Sequence, residues 1–118
     1  MHKILICDDE EAVRESLGLI LSEKYDLVFA KDGGELIQLL KATPDTKAIL
    51  LDIKMPEKNG IEVLGEIRSF NSDIPVIIST GYQSVETAAE AIKAGACNYI
   101  VKPFETDAVL EALQKAVS

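Results

Sequence analysis

The stretch Ile4-Leu5-Ile6-Cys7-Asp8-Asp9 is four apolar residues in a row that stop abruptly on two acids. A run this short and this uniformly apolar reads as a strand buried on both faces, as in a parallel sheet covered by helices. Four similar runs follow: Leu27-Val28-Phe29, Ala48-Ile49-Leu50-Leu51, Val76-Ile77-Ile78 and Tyr99-Ile100-Val101. Between them, apolar residues recur at helical spacing: Val13, Leu17, Ile20 and Leu21; Leu36, Leu39 and Leu40; Leu64 and Ile67; Val85, Ala88, Ala89 and Ile92; Val109, Leu113 and Val117. Turn residues separate the pieces at Asp32-Gly33-Gly34, Thr43-Pro44-Asp45, Asn59-Gly60, Ser72-Asp73 with Pro75, and Gly95. Strand and helix alternate throughout, which predicts an α/β fold with a five-stranded parallel sheet and helices on both faces. The second and fifth runs carry Asp26 and Asn98, so they suit the edges, and the order 2-1-3-4-5 satisfies this. That order puts the switch point between the first and third strands, where ligands of such sheets bind beyond the strands' carboxyl ends.

The chain's 118 residues amount to one domain, large enough to fold without disulfides or a structural metal. Hydrophobic residues at 47% and charged ones at 27% exclude a disordered chain. Twelve Lys and Arg against twenty Asp and Glu leave a net charge of −8, which argues against gripping nucleic acid or an anionic membrane. No apolar run approaches the roughly 18 residues of a membrane span, and the amino-terminal run is too short for a signal peptide. Cys7 and Cys97 read as small buried hydrophobes in a reducing cytoplasm rather than a disulfide or metal pair. His2 is the only histidine, so a His-based metal site or a Ser-His or Cys-His pair is not expected.

The residues that end the apolar runs carry the chemistry. They are Asp8-Asp9, Asp52, Ser79-Thr80 and Lys102-Pro103, and parallel strands deliver them all to one edge of the sheet. Taken singly, such an Asp is often a helix cap, Thr80 a cap and Lys102 a solvated cation. Taken together they are complementary. Asp8, Asp9 and Asp52 come from adjacent strands, and a like-charge pair at ~5 Å with an effective dielectric of ~20 costs about 3 kcal/mol. Such a cluster calls for a cation or for raised pKa values, and an all-oxygen donor set suits Mg²⁺ better than Zn²⁺. A divalent ion flanked by a Lys ammonium and a Thr hydroxyl makes a phosphoryl pocket, with a carboxylate as acceptor.

At these residues the chain resembles the response-regulator receiver domain of bacterial two-component signalling. The matching motifs are Asp8-Asp9, Leu51-Asp52-Ile53-Lys54-Met55-Pro56 with Asn59-Gly60, Ser79-Thr80-Gly81, and Gly95-Ala96 through Tyr99 to Lys102-Pro103-Phe104. The resemblance spans the whole chain and implies one receiver domain over residues 1–118 that acts as a cytoplasmic phosphoprotein switch rather than an enzyme. It implies that Asp52 accepts phosphoryl from a histidine kinase or histidine phosphotransfer protein. Asp8, Asp9, Asp52 and the backbone carbonyl of Lys54 would hold Mg²⁺, Thr80 and Lys102 would bind the phosphoryl oxygens, and Thr80 and Tyr99 would switch. Two positions beside the water's route to the aspartyl phosphate, Lys54 and Tyr82, are bulky, and slow dephosphorylation is expected. The Lys102–Pro103 bond is expected to be cis, which costs only ~0.5–1 kcal/mol before proline.

Three rivals have distinguishable signatures. An Mg²⁺-dependent phosphohydrolase with an aspartyl-phosphate intermediate, of the haloacid-dehalogenase type, would carry an Asp two residues past its nucleophile, where this chain has Lys54. A flavodoxin-like carrier needs a phosphate-binding loop after the first strand, where this chain places four acids, Asp8 to Glu11. A phosphorylation-independent receiver-like binding module would lack a key residue, and none is missing. Phosphorylation is expected to change the face formed by the fourth helix, fifth strand and fifth helix. The first helix, with Val13, Arg14 and Leu17 beside the pocket and Ala12, Ser16 and Leu19 outward, is the expected kinase-docking element. An output domain, attached or separate, is compatible with the sequence. Cys97-Asn98 departs from the Asp-Asp common in receivers attached to winged-helix DNA-binding domains, and favours an ATPase-linked output or none.

Overall fold

The computed structural model describes residues 1–55, 59–81 and 85–118, with the side chain of Val85 left aside. Strands and helices alternate: β1 (Lys3–Cys7), α1 (Glu11–Leu21), β2 (Asp26–Ala30), α2 (Gly33–Ala42), β3 (Thr46–Asp52), α3 (Gly60–Phe70), β4 (Val76–Thr80), α4 (Val85–Lys93), β5 (Asn98–Val101) and α5 (Thr106–Val117). The strands form one parallel sheet in the order β2-β1-β3-β4-β5, as expected from the polar residues in the edge runs. No helix among the described residues is long and apolar enough to cross a membrane.

Successive strand side chains point to opposite faces, so the continuous apolar runs feed two cores at once. On one face Leu5, Ile49, Leu51, Val76 and Ile78 pack with Leu36 and Leu40 of α2, Val63, Leu64 and Ile67 of α3, and Ala91 of α4. On the other, Ile4, Ile6, Ala48, Leu50, Ile77 and Ile100 pack with Leu17 and Leu21 of α1 and Val109, Ala112 and Leu113 of α5. Fully burying each such Leu or Ile is worth roughly 1.5–3 kcal/mol, and this holds the strand ends in a fixed register. Two helices are capped by the residues flagged as turns: Asp32 accepts from the Glu35 N–H at 2.8 Å and Asn59 from the Glu62 N–H at 3.0 Å.

Two expectations fail here. α4 buries Ala88 and Ala91, whereas Ala89 is exposed and Ile92 is 46% exposed. Ala88 and Ala91 lie on the buried side of this helix, with Ala91 in the core, and Ile92 lies off that side. Cys97 is exposed rather than buried. It sits in the turn before an edge strand, held by its N–H to the Val76 carbonyl, and borders an open cavity that it shares with Ala112 and Ala116 of α5. Cys7 is buried as expected.

Candidate functional site at the carboxyl edge of the sheet

β1 and β3 are hydrogen-bonded neighbours, with Cys7 opposite Leu51, so Asp8 and Asp52 leave the sheet side by side. Both are buried, as are Ser79 and Thr80 at the end of β4, where Asp52 is in register with Ser79. The Lys102 N–H donates to the Thr80 carbonyl at 2.8 Å, and the Lys102–Pro103 peptide is cis, as expected. From there the Lys102 ammonium reaches between the two acids, 2.7 Å from Asp8 Oδ2 and 3.4 Å from Asp52 Oδ1.

Asp52 is held from behind. Its Oδ1 accepts the Lys54 N–H at 3.2 Å, and the Gly60 N–H donates to the Ile53 carbonyl at 2.8 Å. A Cβ on Gly60 would lie 2.6 Å from the Asp52 carbonyl oxygen, so only glycine lets the start of α3 close against the acid's own peptide. Burial, followed by the charge of Asp8, pushes the Asp52 carboxyl up to about 6, while Lys102 and the Lys54 N–H act in the opposite direction. Burial works to lower the Lys102 ammonium, but its hydrogen bond to Asp8 and the charges of Asp52 and Asp8 prevail and hold it above its ordinary value.

Asp9 and Glu10 lie exposed just outside, and one carboxylate oxygen from each of Asp8, Asp9 and Glu10 falls within 4.8 Å of the others. The three acids that converge are therefore Asp8, Asp9 and Glu10 and not the expected Asp8, Asp9 and Asp52. Asp52 stands apart from that group and is joined to Asp8 through the Lys102 ammonium. The run of four acids contained that signal, and the Glu10 N–H donating to Asp8 Oδ1 at 3.0 Å ties the two residues together. Thiolate ligation has no part here. Burial, with the charges of Asp32, Asp52, Asp8 and Glu35, pushes the nearby Cys7 thiol up to about 12, so it stays protonated. The cluster offers oxygen ligands only, which fits a hard divalent cation such as Mg²⁺.

The response regulator receiver domain family matches residues 4–114. This chain belongs to that family. It is 38% identical to the regulatory protein AtoC of Escherichia coli K12 over 99% of its own length, and it spans 25% of AtoC. It spans about half the length of other curated relatives. A receiver domain from Clostridium thermocellum superposes with a TM-score of 0.93 at 27% identity, covering 99% of this chain and 94% of that one. A chain of the CheX–CheY–BeF3–Mg²⁺ complex from Borrelia burgdorferi gives a TM-score of 0.93 at 28% identity, covering 99% of this chain and 90% of that one. The receiver domain is a phosphoacceptor signalling domain of two-component response regulators, not a typical enzyme.

In this receiver the remaining expected residues divide. Lys54 is exposed beside Asp52, and Tyr99 lies on β5 with its side chain largely outward, 46% exposed. Tyr82 and Pro56 lie outside the described residues. A groove of about 500 Å³ runs from Lys102 along α1, lined by Ala12, Val13, Ser16 and Ile20 on one side and Pro103 and Phe104 on the other. Leu19, at 87% exposed, is outward as expected but is not among the residues lining that groove. Arg14 is half-buried and turned toward the pocket, where its Nη1 donates to the Asp8 carbonyl at 2.8 Å. Its place beside the pocket is legible in the sequence, whereas its bond to the Asp8 carbonyl is a feature of the fold.

Proposed function

We propose that this receiver is a phosphorylation switch in which Asp52 accepts the phosphoryl group, with residues 1–118 acting as one unit. The observation that carries the reading is the Lys102 ammonium set between the Asp8 and Asp52 carboxylates, at 2.7 and 3.4 Å. A cation fixed there neutralises phosphoryl oxygens arriving at Asp52 without first having to be ordered. In the transfer, a carboxylate oxygen of Asp52 forms the new O–P bond as the P–N bond of a phosphohistidine breaks, the electron pair staying on the imidazole. With a small acyl phosphate the bond that breaks is P–O, and the leaving carboxylate keeps the pair.

Asp8, Asp9 and Asp52, with the Lys54 backbone carbonyl, are the residues that would hold Mg²⁺, and Glu10 stands next to them. When bound, the ion supplies charge neutralisation between these acids and the incoming group. The Borrelia burgdorferi complex, which contains Mg²⁺ and BeF3, supports this assignment by similarity. Thr80, buried at the end of β4, donates to a phosphoryl oxygen, and its movement makes room for Tyr99 to turn inward. The face of α4, β5 and α5, where Ile92, Tyr99 and Val101 are exposed, then changes its affinity for an output partner. A histidine kinase or phosphotransfer helix seats in the groove along α1, which opens onto Lys102. That donor places the chemistry in the cytoplasm. Lys54 and Tyr82 slow the loss of the phosphoryl group.

The test is incubation with acetyl phosphate and Mg²⁺ followed by intact-mass measurement. One phosphoryl group is expected on the wild type, none on Asp52→Asn, and nearly none in EDTA, with the label outlasting donor removal by far more than seconds. Mg²⁺-dependent labelling of Asp52→Asn would show that another residue is the acceptor.

A further inference from the structure

Asp8 is held on all four of its polar groups, each from a different part of the fold. Its N–H donates to the Ala30 carbonyl of β2 at 3.1 Å. Its Oδ1 accepts the Glu10 N–H at 3.0 Å, and its Oδ2 meets the Lys102 ammonium at 2.7 Å. The fourth group, the backbone carbonyl, accepts from Arg14 Nη1 at 2.8 Å. Side chains on a helix lean toward its amino end, so Arg14, in the first turns of α1, is aimed back over the β1–α1 turn. The Arg14 N–H also bonds the Glu10 carbonyl, so one residue grips the acidic turn at both ends, through Asp8 and Glu10.

That turn packs Asp8, Asp9 and Glu10 close enough for their oxygens to lie within 4.8 Å, and like charges at that spacing push the turn open. A guanidinium bonded to a peptide carbonyl opposes this by fixing the backbone rather than by covering a carboxylate.

We propose that Arg14 is a positioning residue for the divalent-cation site: its grip on the Asp8 carbonyl keeps the acidic turn in the shape that converges the carboxylates. The proposal rests on the metal reading given above. It has an unusual sign. A cation near the pocket repels Mg²⁺, so if Arg14 acted only through its charge, removing it would tighten Mg²⁺ binding. If it positions the turn, removing it weakens binding, and loss of a group that orients ligands typically costs about 10–100-fold in metal affinity.

The experiment is calorimetric titration of Mg²⁺ into the intact protein at pH 7.5, for wild type, Arg14→Met and Arg14→Lys, each checked by circular dichroism to be folded at the titration temperature. Arg14→Met retains the alkyl stem and is expected to weaken Mg²⁺ about tenfold. Arg14→Lys retains a charged donor and is expected to recover most of that loss. Affinity in Arg14→Met equal to or tighter than wild type overturns the proposal, and so does Arg14→Lys binding no better than Arg14→Met. No binding by the wild type would overturn the metal reading itself, and the role of Arg14 with it.

Discussion

The two ends of the sheet each carry a Lys–Asp pair, and they behave differently. At the amino edge Lys3 Nζ lies 3.2 Å from Asp45, whose side chain is 69% exposed. At the carboxyl edge Lys102 lies 2.7 Å from an Asp8 side chain that is 2% exposed, with Asp52 second at 3.4 Å. Water screens the first pair, so it holds little beyond its own geometry. The second is a cation shared between two buried acids, an arrangement that stabilises poorly but leaves strong, unscreened charge at one point. Stability is supplied by the apolar faces, and charge is concentrated at the carboxyl edge.

The largest break in this comparison is Lys102→Ala. It leaves Asp8 and Asp52 buried against each other, and removing one partner of a buried pair costs about 3–5 kcal/mol. Denaturant unfolding at pH 7 should show a loss of that order, with much of it restored when Asp52→Asn is added. A loss no greater than that of Lys3→Ala would erase the distinction between the two edges.

Asp52→Asn alone sharpens the same point in the opposite direction. The Asp52 carboxyl lies at about 6 in the fold against 3.8 ordinarily, so the folded state holds its proton more tightly than the unfolded chain. Its favourable contribution is full below pH 3.8 and is lost as pH rises through about 6, above which the buried charge is a liability. Replacing it with Asn should therefore raise stability at pH 7 by on the order of 2 kcal/mol, a gain that fades on acidification toward pH 4. Unfolding curves of both proteins across that range, without divalent cation, provide the check. A gain that grows as the pH falls would contradict it.

The smallest effect is at the other edge. Lys3→Ala should leave the melting temperature unchanged within experimental error, and added salt should not separate the two proteins. A clear destabilisation would mean that the exposed pair does more than its geometry allows.

The positions of the strands, the sheet order and the edge at which the polar residues gather were legible in the sequence. Apolar period, strand-end acids and turn residues are local, and each is written within a few positions of where it acts. The family motifs added the expectation that Thr80 and Lys102 act together with Asp52. The contacts that turn those residues into a site were decided by the tertiary structure. Lys102 meets Asp8 across 94 positions of chain, Arg14 turns back to the Asp8 carbonyl, and Glu10 folds in beside Asp8 and Asp9. The same holds for α4 burying Ala88 and Ala91 while Ile92 faces out, for Cys97 lying exposed before an edge strand, and for Asp52 being pushed up to about 6. Each depends on how closely separate elements pack and how much water they exclude, which hydrophobic period alone does not encode.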